Sequence, residues 1–176
     1  MKWFEESYAR LLIDMHITAH DPGFMNRFDP EQIVRAAVTA GVDSVMVYAC
    51  CHNGNCNYPS VVGRHHPGLE GRDVFGEVVD GLRGAGIKPV AYYTTVYHNQ
   101  SAEAHPDWRV VFPNGKQYLR RYGLCCPNHE EYREFAKAQI AEVVAYDVEG
   151  VFIDMTFWPG ICLCPKCRRR YFGETG

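Results

Sequence analysis

Three cysteines in the pattern Cys162-x-Cys164-x-x-Cys167 carry the sharpest local chemical signal in the chain. Thiolates at this spacing can grip one tetrahedral zinc ion from a turn and the following helix start, and a fourth ligand is then required. Cys56, Cys126, Cys51 and His52 are the candidates for it. A three-cysteine set is electron-rich and typical of a structural metal; free thiols and pairwise disulfides are the competing readings. A second signal is Asp154, which follows Val151-Phe152-Ile153, a run too apolar to tolerate an unpaired carboxylate. It stands either as a reacting or charge-stabilising carboxylate, or as a strand-end Asp that caps a loop or pairs with Arg.

Other polar and aromatic residues gather near the same strand ends. Asp14 and His16 share Ile13-Asp14-Met15-His16, where a buried, hydrogen-bonded Asp and a satisfied core histidine are the plain alternatives. His98 follows Tyr92, Tyr93 and Tyr97 closely, and Trp158 lies four residues beyond Asp154. Tyr92 and Tyr93 must point to opposite sides of their strand, so at most one faces a site; the expectation names Tyr93. Trp108, within His105-Pro106-Asp107-Trp108, reads as a loop anchor.

Positioning these groups requires strands that end where they begin. Leu11 to Ile17 is a short apolar run read as a strand, and Asp29-Pro30-Glu31 supplies an N-cap, a proline at the first helical position and an early acid. Apolar residues from Ile33 to Ala40 follow, with Gly41 where a C-terminal cap belongs. The unit recurs: Ser44 to Ala49 as strand and Asp73 to Ala85 as helix, then Lys88 to Thr95 as strand, Gln100 to Pro127 mostly as loop, and Glu130 to Tyr146 as helix. Gly150 to Met155 is a fourth strand and Cys164 to Phe172 a final helix. Such alternation implies an α/β fold with parallel strands, right-handed crossovers and helices outside. Short segments after the helices and long ones after the strands, rich in His, Cys and Trp, favour a (β/α)8 barrel over an open doubly wound sheet. Four β/α units make about half a barrel, so residues 1–176 read as one incomplete catalytic domain, with open edges and an uncovered inner face that a completing half or a homo-oligomer would close.

Composition narrows the partners. The 176 residues carry a net charge of -3, with 47% hydrophobic and 22% charged residues, which fits a folded chain and offers no broad basic surface for nucleic acid or an anionic membrane. No run approaches the length of a membrane helix, and the N-terminus lacks a signal-peptide pattern, so a soluble, cytoplasmic protein is expected and the eight cysteines read as thiols or metal ligands.

The succession Val42-Asp43-Ser44-Val45-Met46-Val47, His52-Asn53-Gly54-Asn55-Cys56-Asn57-Tyr58-Pro59-Ser60, Arg64-His65-His66-Pro67-Gly68-Leu69, Gly86-Ile87-Lys88-Pro89-Val90-Ala91-Tyr92-Tyr93, His105-Pro106-Asp107-Trp108 and Gly150-Val151-Phe152-Ile153-Asp154 resembles the hypothetical glycosyl hydrolase 6 family, relatives of the alpha-L-fucosidases. The likeness runs from about Leu11 to Phe172 and implies the N-terminal half of a glycoside hydrolase barrel. It also implies that Asp154 is the nucleophile, matching an Asp that ends the fourth strand in alpha-L-fucosidases, and that the acid/base residue lies beyond Gly176. Those enzymes carry His-His-Asp-Gly where this chain has Cys51-His52-Asn53-Gly54, a departure that bears on fucose specificity.

Retaining glycosidases place two carboxyl groups about 5 to 5.5 Å apart. The expected activity is therefore O-glycosidic hydrolysis, of the alpha-L-fucosidase or beta-galactosidase kind, at Asp154, with His16, His52, Tyr93, His98 and Trp158 orienting the sugar and no cofactor needed for the chemistry. Two other readings remain open: a metal-dependent hydrolase holding a catalytic ion at Asp14, His16, His98 and Asp154, and a non-catalytic carbohydrate-binding or assembly module stapled by zinc.

Overall fold

The computed structural model describes residues 2–119, 121–158 and 160–176. In chain order its elements are helix α1 (Trp3–Glu6), strand β1 (Arg10–Leu12), helix α2 (Pro30–Ala40), and strands β2 (Ser44–Cys50), β3 (Asn55–Cys56) and β4 (Arg64–His65). Helix α3 (Val74–Gly84), strand β5 (Lys88–Thr94), helices α4 (Asn99–Ala104) and α5 (Glu130–Val144), strand β6 (Gly150–Asp154) and helix α6 (Pro165–Thr175) complete them. Strands β1, β2, β5 and β6 lie side by side and parallel, as a succession of β/α units requires. The two-residue strands β3 and β4 extend the sheet at the Cys50–Cys56 pairing.

Helix boundaries follow the capping residues. Asp29 accepts the Glu31 N–H at 3.0 Å ahead of Pro30, and Gly41 closes α2 in the left-handed region at φ 63°. Asp73 accepts the Gly76 N–H at 2.8 Å to start α3. The first strand is shorter than its apolar run: only Arg10–Leu12 pairs with β2, and Ile13 to Thr18 continues without strand pairing toward side-chain contacts described below. The expected loop from Gln100 to Pro127 holds α4 and a 3-10 turn at Pro106–Trp108, both too short for periodicity to mark.

Strand alternation sorts the apolar residues into two layers. Val45, Val47, Ala49, Ala91 and Tyr93 pack with Phe75, Val78, Val79, Leu82 and Val143 under the helices. Tyr48 and Tyr92 face the other way, into a second cluster with Met15, Met25 and Leu69. This inner face is only partly covered: Leu12 is 49% and Phe152 43% exposed, and among the described residues β1 and β6 each pair on one side alone. The open inner face is that of four barrel strands. No helix among the described residues is long and apolar enough to cross a membrane.

The long segment after β2 is fastened to α5 by one carboxylate. Glu142 accepts from the backbone N–H of Val61 (2.8 Å) and Val62 (3.1 Å) and from the Tyr58 (3.1 Å) and Ser60 hydroxyls. Burial works to raise its pKa, but the hydrogen bonds to the charged form outweigh burial and hold the carboxyl below its ordinary value. A depressed folded-state pKa stabilises the fold fully above the unfolded-state value, and the contribution disappears as pH falls through the folded-state one. Glu142→Gln is therefore expected to cost about 1–2 kcal/mol at neutral pH, a melting-point loss of roughly 2–8 °C. The difference from the parent should shrink as acid protonates the parent's carboxylate, which calorimetry across the acid range checks.

Candidate active site

The ends of β1, β2, β5 and β6 carry the polar groups. Residues Thr94 and Asp154 are register partners on adjacent parallel strands, as are Tyr92 and Phe152. Alternation thus brings Tyr92 and Asp154 to the same inner face, and the Tyr92 hydroxyl donates to Asp154 Oδ2. The Tyr92 ring is clamped between Tyr48 (centroids 3.8 Å apart, planes 9° apart) and Phe152 (5.9 Å, 24°). Burial first, and the bond to Asp154 second, push the Tyr92 phenol far above the ordinary tyrosine range, so it remains a donor.

His16 joins this pair to a second carboxylate. Its Nδ1 bonds Asp14 Oδ1 and lies 3.4 Å from the Tyr48 hydroxyl, while Nε2 lies 3.4 Å from the Tyr92 hydroxyl. With Nδ1–H committed to Asp14, the ring edge bearing Nε2 faces Tyr92. The result is a continuous series, Asp14–His16–Tyr92–Asp154, across the mouths of the strands. The hydrogen bond from His16 outweighs slight burial and holds the Asp14 carboxyl below its usual value. His52 lies against His16 with ring centroids 4.8 Å apart. Burial, then the neighbouring His16 and Arg121 charges, take the His52 pKa down to about 4, so its imidazole is neutral at pH 7. Its Nδ1 is buried with no hydrogen-bond partner among the described residues.

The sequence expectations divide here. Asp154, His16 and His52 gather on one face. Tyr93 does not: it points to the helix layer and its hydroxyl donates to Gln139 Oε1 at 2.8 Å. The parity of the pleat gives the inner position to Tyr92, so the expected contact passes to its neighbour. His98 is also turned away. It is buried as the N-cap of α4, its Nδ1 accepting the Ser101 N–H at 3.2 Å and its Nε2 facing Cys50 Sγ at 3.8 Å. That removes one of the four side chains a catalytic ion at Asp14, His16, His98 and Asp154 would need. Trp158 stands 42% exposed in the loop after β6, without a ring partner among the described residues. Trp108 is buried and stacks on His105 with centroids 3.7 Å apart, an anchor of its loop. Tyr48 and Tyr92 escaped the sequence reading as site residues; the signal that points to them is strand parity, since Asp154 two residues after Phe152 fixes which face of β6 is inner.

Two residues beside the site hold left-handed backbone without being glycine: Met155 (φ 53°), directly after Asp154, and Val96 (φ 59°), two residues after the end of β5. Such positions are strained for side chains of this kind, and for branched Val most of all. Val96 lies in a bend of the chain as it leaves the sheet.

Cys126, Cys162, Cys164 and Cys167 bring their sulfurs within 4.8 Å of one another. The fourth member of the predicted cluster is thus Cys126. Cys56 lies under the helices with Gln139 Nε2 at 3.3 Å, Cys51 belongs to the inner cluster, and His52 to the face just described.

The model of the hypothetical glycosyl hydrolase 6 family matches residues 29–155. A search of the curated proteins finds no match. Among solved structures the chain is similar to alpha-L-fucosidase isoenzyme 2 from Paenibacillus thiaminolyticus, with a TM-score of 0.85 and 23% identity over 96% of this chain and 26% of that one. It is similar to a hypothetical protein from Ruminiclostridium thermocellum, at TM-score 0.63 and 14% identity over 85% of this chain and 78% of that one. It is also similar to an alpha-fucosidase from Thermotoga maritima solved with fucose, at TM-score 0.54 and 22% identity over 83% of this chain and 32% of that one. At these identities the likeness establishes the fold, that of a fucosidase barrel. The chain spans about a quarter to a third of the length of those fucosidases.

Proposed function

We propose that this chain, which belongs to the hypothetical glycosyl hydrolase 6 family, is the nucleophile-bearing part of a retaining glycoside hydrolase barrel that cleaves α-L-fucosides, with β-galactosides as the competing substrate. The observation that carries the reading is Asp154 at the C-terminal end of the fourth parallel strand, with one carboxylate oxygen held by the Tyr92 phenol. The C-terminal end of the strands is where barrel enzymes place their chemistry. Tyr92 fixes the rotamer of Asp154 and leaves Oδ1 to attack the anomeric carbon as the glycosidic C–O bond breaks and the aglycone departs with a proton from the acid/base residue of the completed barrel; water deprotonated by that same residue then cleaves the glycosyl–carboxylate bond. His16, oriented by Asp14, and neutral His52 supply hydrogen bonds to sugar hydroxyls, and the exposed Trp158 indole offers a platform for the apolar C–H face of a pyranose.

A cationic iminosugar resembles the charge of the oxocarbenium-like transition state and should pair with Asp154. In a thermal-shift screen of fuco, galacto and gluco iminosugars, the fuco compound is expected to raise the melting point of the parent and leave Asp154→Asn unmoved. No shift in a parent that unfolds cooperatively would overturn the reading for this chain. A shift retained in Asp154→Asn would favour a non-catalytic sugar-binding module. The exposed Leu12 and Phe152 and the one-sided pairing of β1 and β6 support a completing half-barrel or second copy as partner. A chain that stays monomeric by light scattering and melts in one cooperative step would count against that partner.

A further inference from the structure

Helix α6 is attached without a hydrophobic face. None of its residues is buried, and Tyr171 and Phe172 are each more than 60% exposed. Burial of apolar surface, the usual force that docks a helix, is therefore missing. Besides an Arg170–Asn128 hydrogen bond and a 3.7 Å ion pair from Lys166 to Glu131, what joins α6 to the rest of the molecule is a knot of sulfur. Cys164 is its N-cap, Cys167 stands in its first turn, and Cys162 precedes it by three residues. All three meet Cys126, which arrives from the far end of the long crossover after β5, where the Cys126 N–H donates to Trp108 O at 2.7 Å.

The geometry of that knot is specific. Cys126 Sγ lies 3.4 Å from Cys167 Sγ and 3.8 Å from Cys164 Sγ, and all four sulfurs fall within 4.8 Å. A disulfide needs sulfurs about 2.05 Å apart, whereas four sulfurs each about 2.3 Å from a tetrahedral zinc sit about 3.8 Å from one another. Donors also point at the sulfurs: Val111 N–H at Cys162 (3.4 Å), Cys167 N–H at Cys164 (3.5 Å) and Asn128 Nδ2 at Cys167 (3.2 Å). A neutral thiol is a weak acceptor, but a metal-bound thiolate accepts such bonds well, and they form the outer shell that fixes ligands in place. Arg170 extends the shell by donating to Asn128 Oδ1 at 2.8 Å.

We propose that Cys126, Cys162, Cys164 and Cys167 hold one zinc ion in a closed, structural site that pins α6 and the loop after β6 to the crossover after β5. Four protein sulfurs fill the tetrahedron and leave no position for substrate, so the ion organises the fold and takes no part in hydrolysis. The loop it anchors runs from Asp154 to Cys162 and carries Trp158, so the metal sets one wall of the candidate active site from outside it. The inference does not depend on the glycosidase reading.

The test is elemental analysis of the reduced chain purified without chelators, followed by cobalt substitution. One equivalent of zinc per chain is expected, together with the near-ultraviolet charge-transfer and intense visible bands of tetrahedral cobalt thiolate after exchange. Titration with a mercurial reagent should release the zinc as four thiolates are converted to mercaptides. Cys126→Ser and Cys164→Ser should lose the metal, whereas Cys125→Ser, one residue away and outside the cluster, should keep it. Chelation should also speed tryptic cleavage at Arg168, Arg169 and Arg170 by about tenfold or more as α6 comes free. Zinc well below one equivalent with no cobalt–thiolate bands on reconstitution, or iron in place of zinc, would overturn the proposal. These readouts use the parent chain and decide the matter even if a serine variant fails to fold.

Discussion

Alanine at Asp154 is expected to lower kcat on an aryl α-L-fucoside, measured in the assembled barrel, by at least about 10³-fold, or about 4 kcal/mol of transition-state stabilisation. The size follows from the role: with no carboxylate at the anomeric carbon, the two-step route through a glycosyl-enzyme is closed. Azide added to Asp154→Gly should restore turnover of a substrate with a good leaving group and give a glycosyl azide of inverted anomeric configuration, because the small nucleophile enters from the emptied side. Tyr92→Phe provides the graded comparison. It removes one hydrogen bond to the charged carboxylate, so a loss of roughly tenfold in kcat is expected. Retention of kcat within about tenfold in Asp154→Ala would mean that another group attacks the sugar.

What the sequence reveals of this arrangement is its periodic part. The four β/α units, the Asp29 cap and the Gly41 stop are all local signals, and the structure meets them within a few residues except at the first strand, which ends at Leu12 and not Ile17. Asp154 is legible for the same reason, since a carboxylate closing Val151-Phe152-Ile153 is an anomaly within one strand. Legibility fails where the answer is a matter of pairing. Tyr92 and Tyr93 are chemically alike, and only the register Tyr92–Phe152 and Thr94–Asp154 decides which of them meets the carboxylate. His98 looks like a site histidine because it follows a strand, yet α4, which it caps, is six residues long and too short to announce itself. Cys126 is separated by 36 positions from the next member of its cluster, so spacing could name the three partners and not the fourth. Glu142 is hidden similarly: on a helix it reads as one more solvated acid until the loop from Tyr58 to Val62 folds back on it.

The same long loops explain why a residue far from the chemistry should be intolerant of a single methyl group. The segment after β1 and the segment after β2 meet at two 3-10 turns, Pro22–Phe24 and Pro67–Leu69. At their contact a Cβ on Gly68 would stand 2.0 Å from the carbonyl oxygen of Pro22 and 2.9 Å from its carbonyl carbon. These are backbone atoms and cannot rotate aside. The second turn is fixed in its turn by the Gly68 N–H on His66 Nδ1 (3.1 Å) and by His66 Nε2 against Thr18 O (3.2 Å). Fully buried Met25 and Leu69, at the ends of the two turns, pack with Tyr48 and Tyr92, so a shift here reaches the clamp that holds Asp154. Gly68→Ala is accordingly expected to cost about 2–3 kcal/mol of stability, a melting-point loss of roughly 4–12 °C. Gly84→Ala is the matched control, because a Cβ there meets nothing within 4 Å and the position ends helix α3; it should leave stability unchanged or raise it by up to about 1 kcal/mol. Scanning calorimetry of the two variants beside the parent separates the cases. Equal melting points for Gly68→Ala and Gly84→Ala would mean that the two turns part without cost and that the floor beneath Tyr92 does not depend on their contact.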